Sequence, residues 1–200
     1  FVRFHYGKPE RWGGWAYLNQ KSIVGVVRDT HSWVSLNGTR YLALGTDRKL
    51  YLYTDGSIVD ITPIRETQAL TNPFTTNGST TVTVTDTGHG ASVGDFVTFD
   101  SFSTIDGLDM NQEFEIITVP SVNTYTVTHT STASGSTSGG GGSGNAVYQI
   151  NVGPANSTYG YGWGTSTWGD STWDTARSSS TVILDARSWS LDNFGEDLIA

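Results

Sequence analysis

Short apolar runs separated by turn residues dominate the first third of the chain. Between residues 22 and 64 these runs recur about every 8 to 10 residues, and Asn37-Gly38 and Asp55-Gly56 stand between them as turn signals. This spacing predicts an antiparallel meander of short strands. Since four such strands in series form one blade of a β-propeller, we predict β-propeller-like antiparallel blades.

The middle of the chain has a different pattern. Thr and Val alternate over residues 81–85, and polar and apolar residues alternate again over residues 124–128. Period-two alternation predicts strands with one buried face. With further apolar pairs the segment holds about five strands, enough for an inserted small β-barrel or sandwich module. Residues 134–144 are nearly all Ser, Thr and Gly, which predicts a flexible surface loop.

The two ends of the chain resemble each other more than either resembles the middle. Insertions succeed where entry and exit lie close together on a surface. We therefore predict a module inserted into a larger body. The predicted segments are a propeller-like β segment at residues 1–71, an inserted small β domain at residues 72–152, and a Trp/Gly-rich loop returning to the propeller-like β segment at residues 153–200.

Composition supports an all-β class and narrows the function. Only 15% of the residues are charged and the net charge is −8. The 11 Lys and Arg residues are scattered, which argues against sequence-specific DNA binding, because that needs clustered cations. An acidic surface could still lie beside DNA that slides past it. The absence of cysteine excludes disulfides, thiolate zinc sites and cysteine nucleophiles.

The four histidines are the obvious catalytic candidates, and each has a simpler interpretation. His129 shares a strand face with Tyr125 and Val127, which indicates packing, and His89 stands between two glycines in a predicted turn. His5 and His31 have no evident Ser or Asp partner, and no hydrolase or metalloprotease motif is present. We therefore expect no catalytic residues and no enzyme activity.

One group of acids, Asp106, Asp109, Glu113 and Glu115, is close together in the sequence. Two carboxylates across a cleft could cleave a glycosidic bond, and oxygen ligands could hold calcium. The spacing lacks the pattern of a calcium-binding loop. We interpret the acids as solvated side chains and expect no metal and no cofactor, with a polysaccharide depolymerase as the weakest alternative.

Three tryptophans in the Gly-rich segment, Trp163, Trp168 and Trp173, form the candidate contact surface. Exposed on a loop, they could stack on sugar rings or on a partner protein. Alternatively, they fold back and anchor the loop to the body of the protein, since exposed tryptophan lowers solubility.

Several stretches together resemble one class of virion protein. They are RSWSLDNFGEDLIA at residues 187–200, YLALGT with KLYLY at residues 41–53, and VGDFVTF with NTYTV at residues 93–127. They are similar to segments of the tail nozzle, or packaged-DNA stabilisation, proteins of short-tailed bacteriophages. The resemblance implies a virion structural role, a propeller-like body and assembly as a ring of several copies. Those proteins are several times longer, and the chain ends within an apolar run, so we expect it to be a piece of a longer polypeptide.

The resulting functional expectation is a structural protein of a phage tail, a nozzle or hub component that forms part of a ring around the DNA channel. Its partners would be copies of itself and other tail proteins, with non-specific proximity to packaged DNA and no membrane. It would be located in the virion and assembled in the bacterial host cytoplasm. The alternative is a carbohydrate- or host-receptor-binding module of a phage tail.

Overall fold

The computed structural model describes residues 2–11, 21–153, 186 and 188–200. Every regular element in these ranges is a β-strand, which confirms the all-β class. None of these residues belongs to a helix that could span a membrane. The strands are β1 (Val2–His5), β2 (Lys8–Arg11), β3 (Val27–Val34), β4 (Arg40–Thr46), β5 (Leu50–Thr54), β6 (Ser57–Asp60), β7 (Ile64–Thr71), β8 (Phe74–Thr75), β9 (Thr81–Thr85), β10 (Phe96–Asp100), β11 (Glu113–Ser121), β12 (Thr124–Thr128), β13 (Ser143–Gln149), β14 (Asp192–Phe194) and β15 (Asp197–Ile199).

Strands β3 to β6 form the predicted four-stranded antiparallel meander, in sequence order. Its β5–β6 connection has two residues, Asp55 and Gly56, with φ of 46° and 81°. A two-residue hairpin turn of type I′ requires positive φ at both positions, and Asp-Gly satisfies that requirement cheaply. The described ranges contain this single four-stranded sheet, so the propeller itself stays a prediction.

The second sheet has seven strands in the order β7-β13-β10-β11-β12-β9-β8. Strands β7 and β8 follow one another in the chain but lie at opposite edges, so the sheet curls until its edges approach each other. Asn72, between these strands, has a φ of 50°, and its N–H donates to the carbonyl of Gly142 at 2.7 Å. The ladder of strand pairs is not continuous around the sheet, and the predicted small barrel is therefore a curled sheet rather than a closed barrel.

The start of this second sheet differs from the predicted boundary at residue 72. Strand β7 pairs with β13 along its length, from Ile64 opposite Gln149 to Thr71 opposite Ser143. The change of composition at residue 72 marks the bend between β7 and β8. The seven-stranded unit comprises residues 64–149 and is here called the module. Its entry and exit adjoin, because the Ile150 N–H donates to the carbonyl of Pro63 at 2.9 Å.

The hydrophobic core lies inside the module and uses the alternation seen in the sequence. Val82 and Val84 of β9 and Tyr125 and Val127 of β12 all point inward and are fully buried. Burying a side chain of this size stabilises a fold by about 1.5–3 kcal/mol. The remaining core members come from the same unit: Phe74, Ala91, Val97, Phe99, Phe102, Ile105, Leu108, Met110, Phe114, Ile116, Ala133, Ala146 and Tyr148.

The Gly- and Ser-rich stretch at residues 134–144 is not the free loop that its composition predicted. The Gly140 N–H donates to the carbonyl of Phe74 at 2.8 Å, and the Thr137 hydroxyl donates to Asp106 at 3.0 Å. Glycine serves here as a close-packing residue, since a Cβ on Gly141 would lie 2.4 Å from the Phe74 ring. Low side-chain bulk therefore lets this stretch lie against the core, and composition alone could not separate that role from flexibility.

Candidate functional site

A row of aromatic rings lies on one face of the meander. His31 and Trp33 alternate along β3, and the pairing register places Tyr41 of β4 directly opposite Trp33. The Trp33 and Tyr41 ring centroids are 5.2 Å apart at an interplanar angle of 27°, and the His31 and Trp33 centroids are 5.8 Å apart at 21°. Offset stacking of this kind holds the rings in fixed orientations.

The C-terminal hairpin, β14 with β15, lies over the same face. The Trp33 indole Nε1–H donates to the carbonyl of Glu196 at 3.2 Å, and the Leu36 N–H donates to the Glu196 carboxylate at 2.6 Å. His31 Nε2 lies 2.8 Å from Asn193 Oδ1. About 160 residues separate these partners in sequence, so the site is assembled from the chain segments on either side of the module.

Trp189 fixes the approach of this hairpin. Its indole Nε1–H donates to the carbonyl of Thr46 at 2.7 Å, and its ring lies against Gly45. A Cβ at Gly45 would stand 2.3 Å from Trp189 Cδ1, so only glycine admits the indole there. The Leu191 N–H then donates to the Asp29 carboxylate at 3.0 Å. This anchor makes the hairpin part of the meander's surface.

Between the hairpin and the meander lies a groove of about 330 Å³, here called the aromatic groove. Glu196 and Asp197 of the hairpin line this groove together with Trp33 and Tyr41 of the meander. No hydrogen bond from another described residue reaches the Tyr41 hydroxyl or the Asp197 carboxylate. The full lining is Trp33, Ser35, Asn37, Tyr41, Leu52, Ile61, Glu196, Asp197 and Leu198.

A charged cluster joins the other end of the meander to the module. The side chain of Lys49 is 2% exposed, and its Nζ lies 2.6 Å from Asp60 and 2.5 Å from Glu113 of β11. Nζ also stands 4.3 Å from the centre of the Phe96 ring. The Gln149 amide donates to both carboxylates, at 3.3 and 3.1 Å. We call this group the Lys49 cluster.

Electrostatics favour the ionised forms of Lys49 and Asp60. Burial disfavours the charge on Lys49, but hydrogen bonds to Asp60 and Glu113 outweigh burial and raise the Lys49 pKa. For Asp60 burial likewise opposes ionisation, and the bonds from Lys49 and Thr62 overcome it and lower the Asp60 pKa. Arg48 adds a more exposed pair with Glu115 at 2.5 Å.

Each of the four grouped acids makes a structural contact, and Asp109 and Glu113 are also solvent-exposed. Glu113 and Glu115 bind Lys49 and Arg48, as described above. The Asp106 carboxylate accepts from the hydroxyls of Thr76 and Thr137, and Asp109 accepts from the backbone N–H of Asn111 at 3.0 Å. Across the described residues, no three His, Asp or Glu side chains converge where a metal ion could be held.

Two of the histidines have the same buried arrangement. The N–H of Ala91 donates to His89 Nδ1 at 3.0 Å, and the N–H of Ser131 donates to His129 Nδ1 at 2.9 Å. In each ring Nε2 then donates to a backbone carbonyl, at 3.2 Å in both. Each imidazole is therefore a neutral Nε2–H tautomer that closes a turn, and both nitrogens are engaged.

The remaining candidates are placed as follows. His31 belongs to the aromatic row, and His5 lies 3.4 Å from Glu10 within the β1–β2 hairpin. Trp163, Trp168 and Trp173 lie outside the described residues, so the contact surface that they were predicted to form stays a prediction.

Sequence reasoning missed the aromatic groove. A usable signal was present, since aromatic residues at alternate positions of β3 face the next strand across an Asn-Gly turn. The presence of Glu196 and Asp197 in this groove could not be predicted, because the local sequence of a short hairpin does not indicate which distant strand it will cover.

Comparison with known proteins yields little similarity. No family model matches the chain, and no curated protein matches it. Among solved structures, the chain is similar to the phage phi92 endosialidase, with a TM-score of 0.37 and 21% identity. The match covers 62% of this chain, and it spans only 17% of the length of that protein.

Proposed function

We propose that this chain is a structural component of a bacteriophage tail, a nozzle or hub piece that joins other copies in a ring around the DNA channel. The observation that carries this proposal is exposed apolar surface beside the C-terminal hairpin. Leu36 is 96% exposed and Phe194 is 79% exposed, and the Leu36–Glu196 hydrogen bond holds their two turns together. Ile199 of the same hairpin is a further exposed apolar side chain.

Large apolar side chains grouped on a surface favour a protein partner, since water contact with them is unfavourable. Among the described residues, β14 and β15 pair only with each other, and an unpaired strand edge can pair with a neighbouring subunit. The resemblance of residues 187–200 to nozzle proteins falls on the segment that includes this hairpin. The net charge of −8 is consistent with a surface past which DNA moves without adhering.

The proposal includes no catalytic role. The grouped acids of the module and its buried histidines act as partners in structural hydrogen bonds and ion pairs. The buried Asp86 likewise accepts from the Tyr148 hydroxyl at 2.5 Å. Groups engaged in this way stabilise the fold, and using one as an acid or base would break the bonds that position it.

The test is the assembly state of the chain, measured by sedimentation and by electron microscopy of the particles. We expect closed rings, and we expect Leu36→Ser with Phe194→Ser to shift the protein towards monomer. Val122→Ser is the matched control, because Val122 is an exposed apolar residue on the module. A protein that stays monomeric at every concentration, or rings that survive the double substitution, would refute the proposal.

The alternative, a carbohydrate- or receptor-binding module, is favoured by a separate observation, the aromatic groove. It was predicted from Trp163, Trp168 and Trp173, whereas the described residues place aromatic rings around a cavity at Trp33 and Tyr41.

A further inference from the structure

The aromatic groove presents two kinds of surface to a ligand. One is the pair of stacked rings of Trp33 and Tyr41, with Leu52 and Leu198 completing the apolar part. Flat aromatic surface of this kind packs against the C–H face of a sugar ring, and fixed ring orientation reduces the entropy lost on binding.

The other surface is a set of polar atoms that the protein does not use. The Asn37 Oδ1 accepts from the Ser35 hydroxyl and the Thr39 N–H, which leaves its amide N–H groups without a described partner. The Tyr41 hydroxyl and the Asp197 carboxylate are likewise without one. The groove therefore offers donors and acceptors together, and sugar hydroxyls, which both donate and accept, can satisfy such a mixed set.

Charge narrows the class of ligand. The groove lining includes two acidic residues, Glu196 and Asp197, and no described lysine or arginine. An anionic ligand such as a phosphate or an acidic sugar would be repelled, since like charges in a partly desolvated site are unfavourable. A wholly apolar ligand would displace the water around Asp197 and would offer no hydrogen bonds in place of those that the water makes.

From these properties we infer that the aromatic groove binds a neutral saccharide of one or two rings. Its volume of about 330 Å³ lies at the small end of the range for ligand sites, which suits a mono- or disaccharide. The sugar ring packs on Trp33 and Tyr41, while Asp197 and Asn37 bond its hydroxyls. This binding goes beyond the structural role proposed above and does not depend on ring assembly.

The test uses the whole chain and ligand-detected NMR with lactose, cellobiose, maltose and N,N′-diacetylchitobiose as neutral probes. The acidic counterpart of lactose is 3′-sialyllactose, which tests the charge argument on the same disaccharide. We expect at least one neutral probe to bind with a dissociation constant in the range of about 10 μM to 10 mM, and we expect 3′-sialyllactose to bind more weakly than lactose.

Two conservative variants test the groove without removing its rings. Tyr41→Phe deletes one hydroxyl and Asp197→Asn deletes one charge, and each should weaken neutral-sugar binding by about 3- to 30-fold. Their matched controls are Tyr53→Phe, on the opposite face of the meander, and Asp100→Asn, an exposed aspartate on the module. The controls should change affinity by less than about 2-fold.

The charge of Asp197 leads to a further expected result that a purely structural role of this residue would not produce. Asp197→Asn should narrow the difference in affinity between lactose and 3′-sialyllactose, because it removes part of the repulsion. The inference is wrong if no neutral probe binds, if 3′-sialyllactose binds more tightly than lactose, or if the groove variants bind as the wild type does. Ring formation is measured separately, so failure here and failure of the assembly proposal are distinguishable.

Discussion

Replacing Lys49 by methionine is the sharpest test of how the module is held to the meander. Methionine fills nearly the same volume but removes the ammonium between Asp60 and Glu113. The Gln149 amide remains and donates to both carboxylates, yet it brings no charge. The variant therefore leaves two carboxylates facing each other without a cation.

The expected loss of stability follows from the burial of these groups. Removing one member of a fully buried ion pair costs about 3–5 kcal/mol, because the remaining charge is left uncompensated. Here the side chains of Asp60 and Glu113 are 29% and 37% exposed, so solvent reduces that penalty. Loss of the cation–π contact with Phe96 adds a smaller amount. We expect Lys49→Met to lower the free energy of unfolding by about 2–4 kcal/mol.

The pH dependence of stability gives an independent check on the cause. In the wild type the Asp60 pKa is lowered on folding, so its stabilisation is present above the unfolded value near about 3.9 and is lost as the pH falls through the folded value. In Lys49→Met, Asp60 loses the hydrogen bond and the positive charge that lower its pKa, so it takes up a proton more readily. The stability deficit of the variant relative to the wild type should therefore shrink as the pH is lowered from 7 towards 4.

The assay is urea unfolding monitored by tryptophan fluorescence between pH 4 and 8. Arg48→Met is the control, because the neighbouring Arg48–Glu115 pair is more exposed and should contribute about 1 kcal/mol or less. The triple variant Lys49→Met, Asp60→Asn, Glu113→Gln should recover most of the loss, since it removes the charges together. The reasoning fails if Lys49→Met costs no more than Arg48→Met, or if its deficit does not shrink at acid pH.

Three further predictions concern single contacts. Gly45→Ala should lower stability by about 1–3 kcal/mol, because its Cβ would overlap the Trp189 ring. In a Trp189→Ala background the same substitution should cost less than about 1 kcal/mol, and thermal unfolding of the double-mutant cycle measures both values. Tyr148→Phe should lower the free energy of unfolding by about 2 kcal/mol, because it removes the hydrogen bond to the buried Asp86 carboxylate. Burial already raises the pKa of Asp86, and an unchanged midpoint in urea unfolding would contradict this role of Tyr148. Nitrogen NMR of His129 should show the Nε2–H tautomer, and an Nδ1–H signal would contradict the bonding described.

The parts of the fold that sequence reasoning predicted are those governed by local rules. Alternation over residues 81–85 and 124–128 indicated which side chains point inward, because a strand repeats every two residues. The Asp55-Gly56 turn was readable because few residue pairs tolerate two positive φ angles. Both features depend on neighbours in the chain and on no distant partner.

The parts that sequence reasoning missed depend on partners far away in the chain. Strand β7 has mostly exposed side chains, so nothing in its pattern announced the pairing with β13 about 75 residues later. The sequence did not indicate that Lys49 is buried, because lysine is almost always exposed. Its burial depends on two carboxylates that come from separate sheets. The aromatic groove needed the hairpin's position, which tertiary packing alone decides.

The Lys49 cluster and the aromatic groove lie at different positions along the strands of the meander. Lys49 stands beside the Gly45–Leu50 pair, whereas the aromatic groove is built on the Tyr41–Thr54 pair four residues along β4. That separation is about 14 Å at the rise of an antiparallel strand. The module enters and leaves at the Lys49 end, through Pro63 and Ile150, and the module core draws no residue from the meander. The two sites are still coupled, because Ile61, next to Asp60 of the Lys49 cluster, also lines the groove, and Trp189 anchors the hairpin at Gly45 and Thr46.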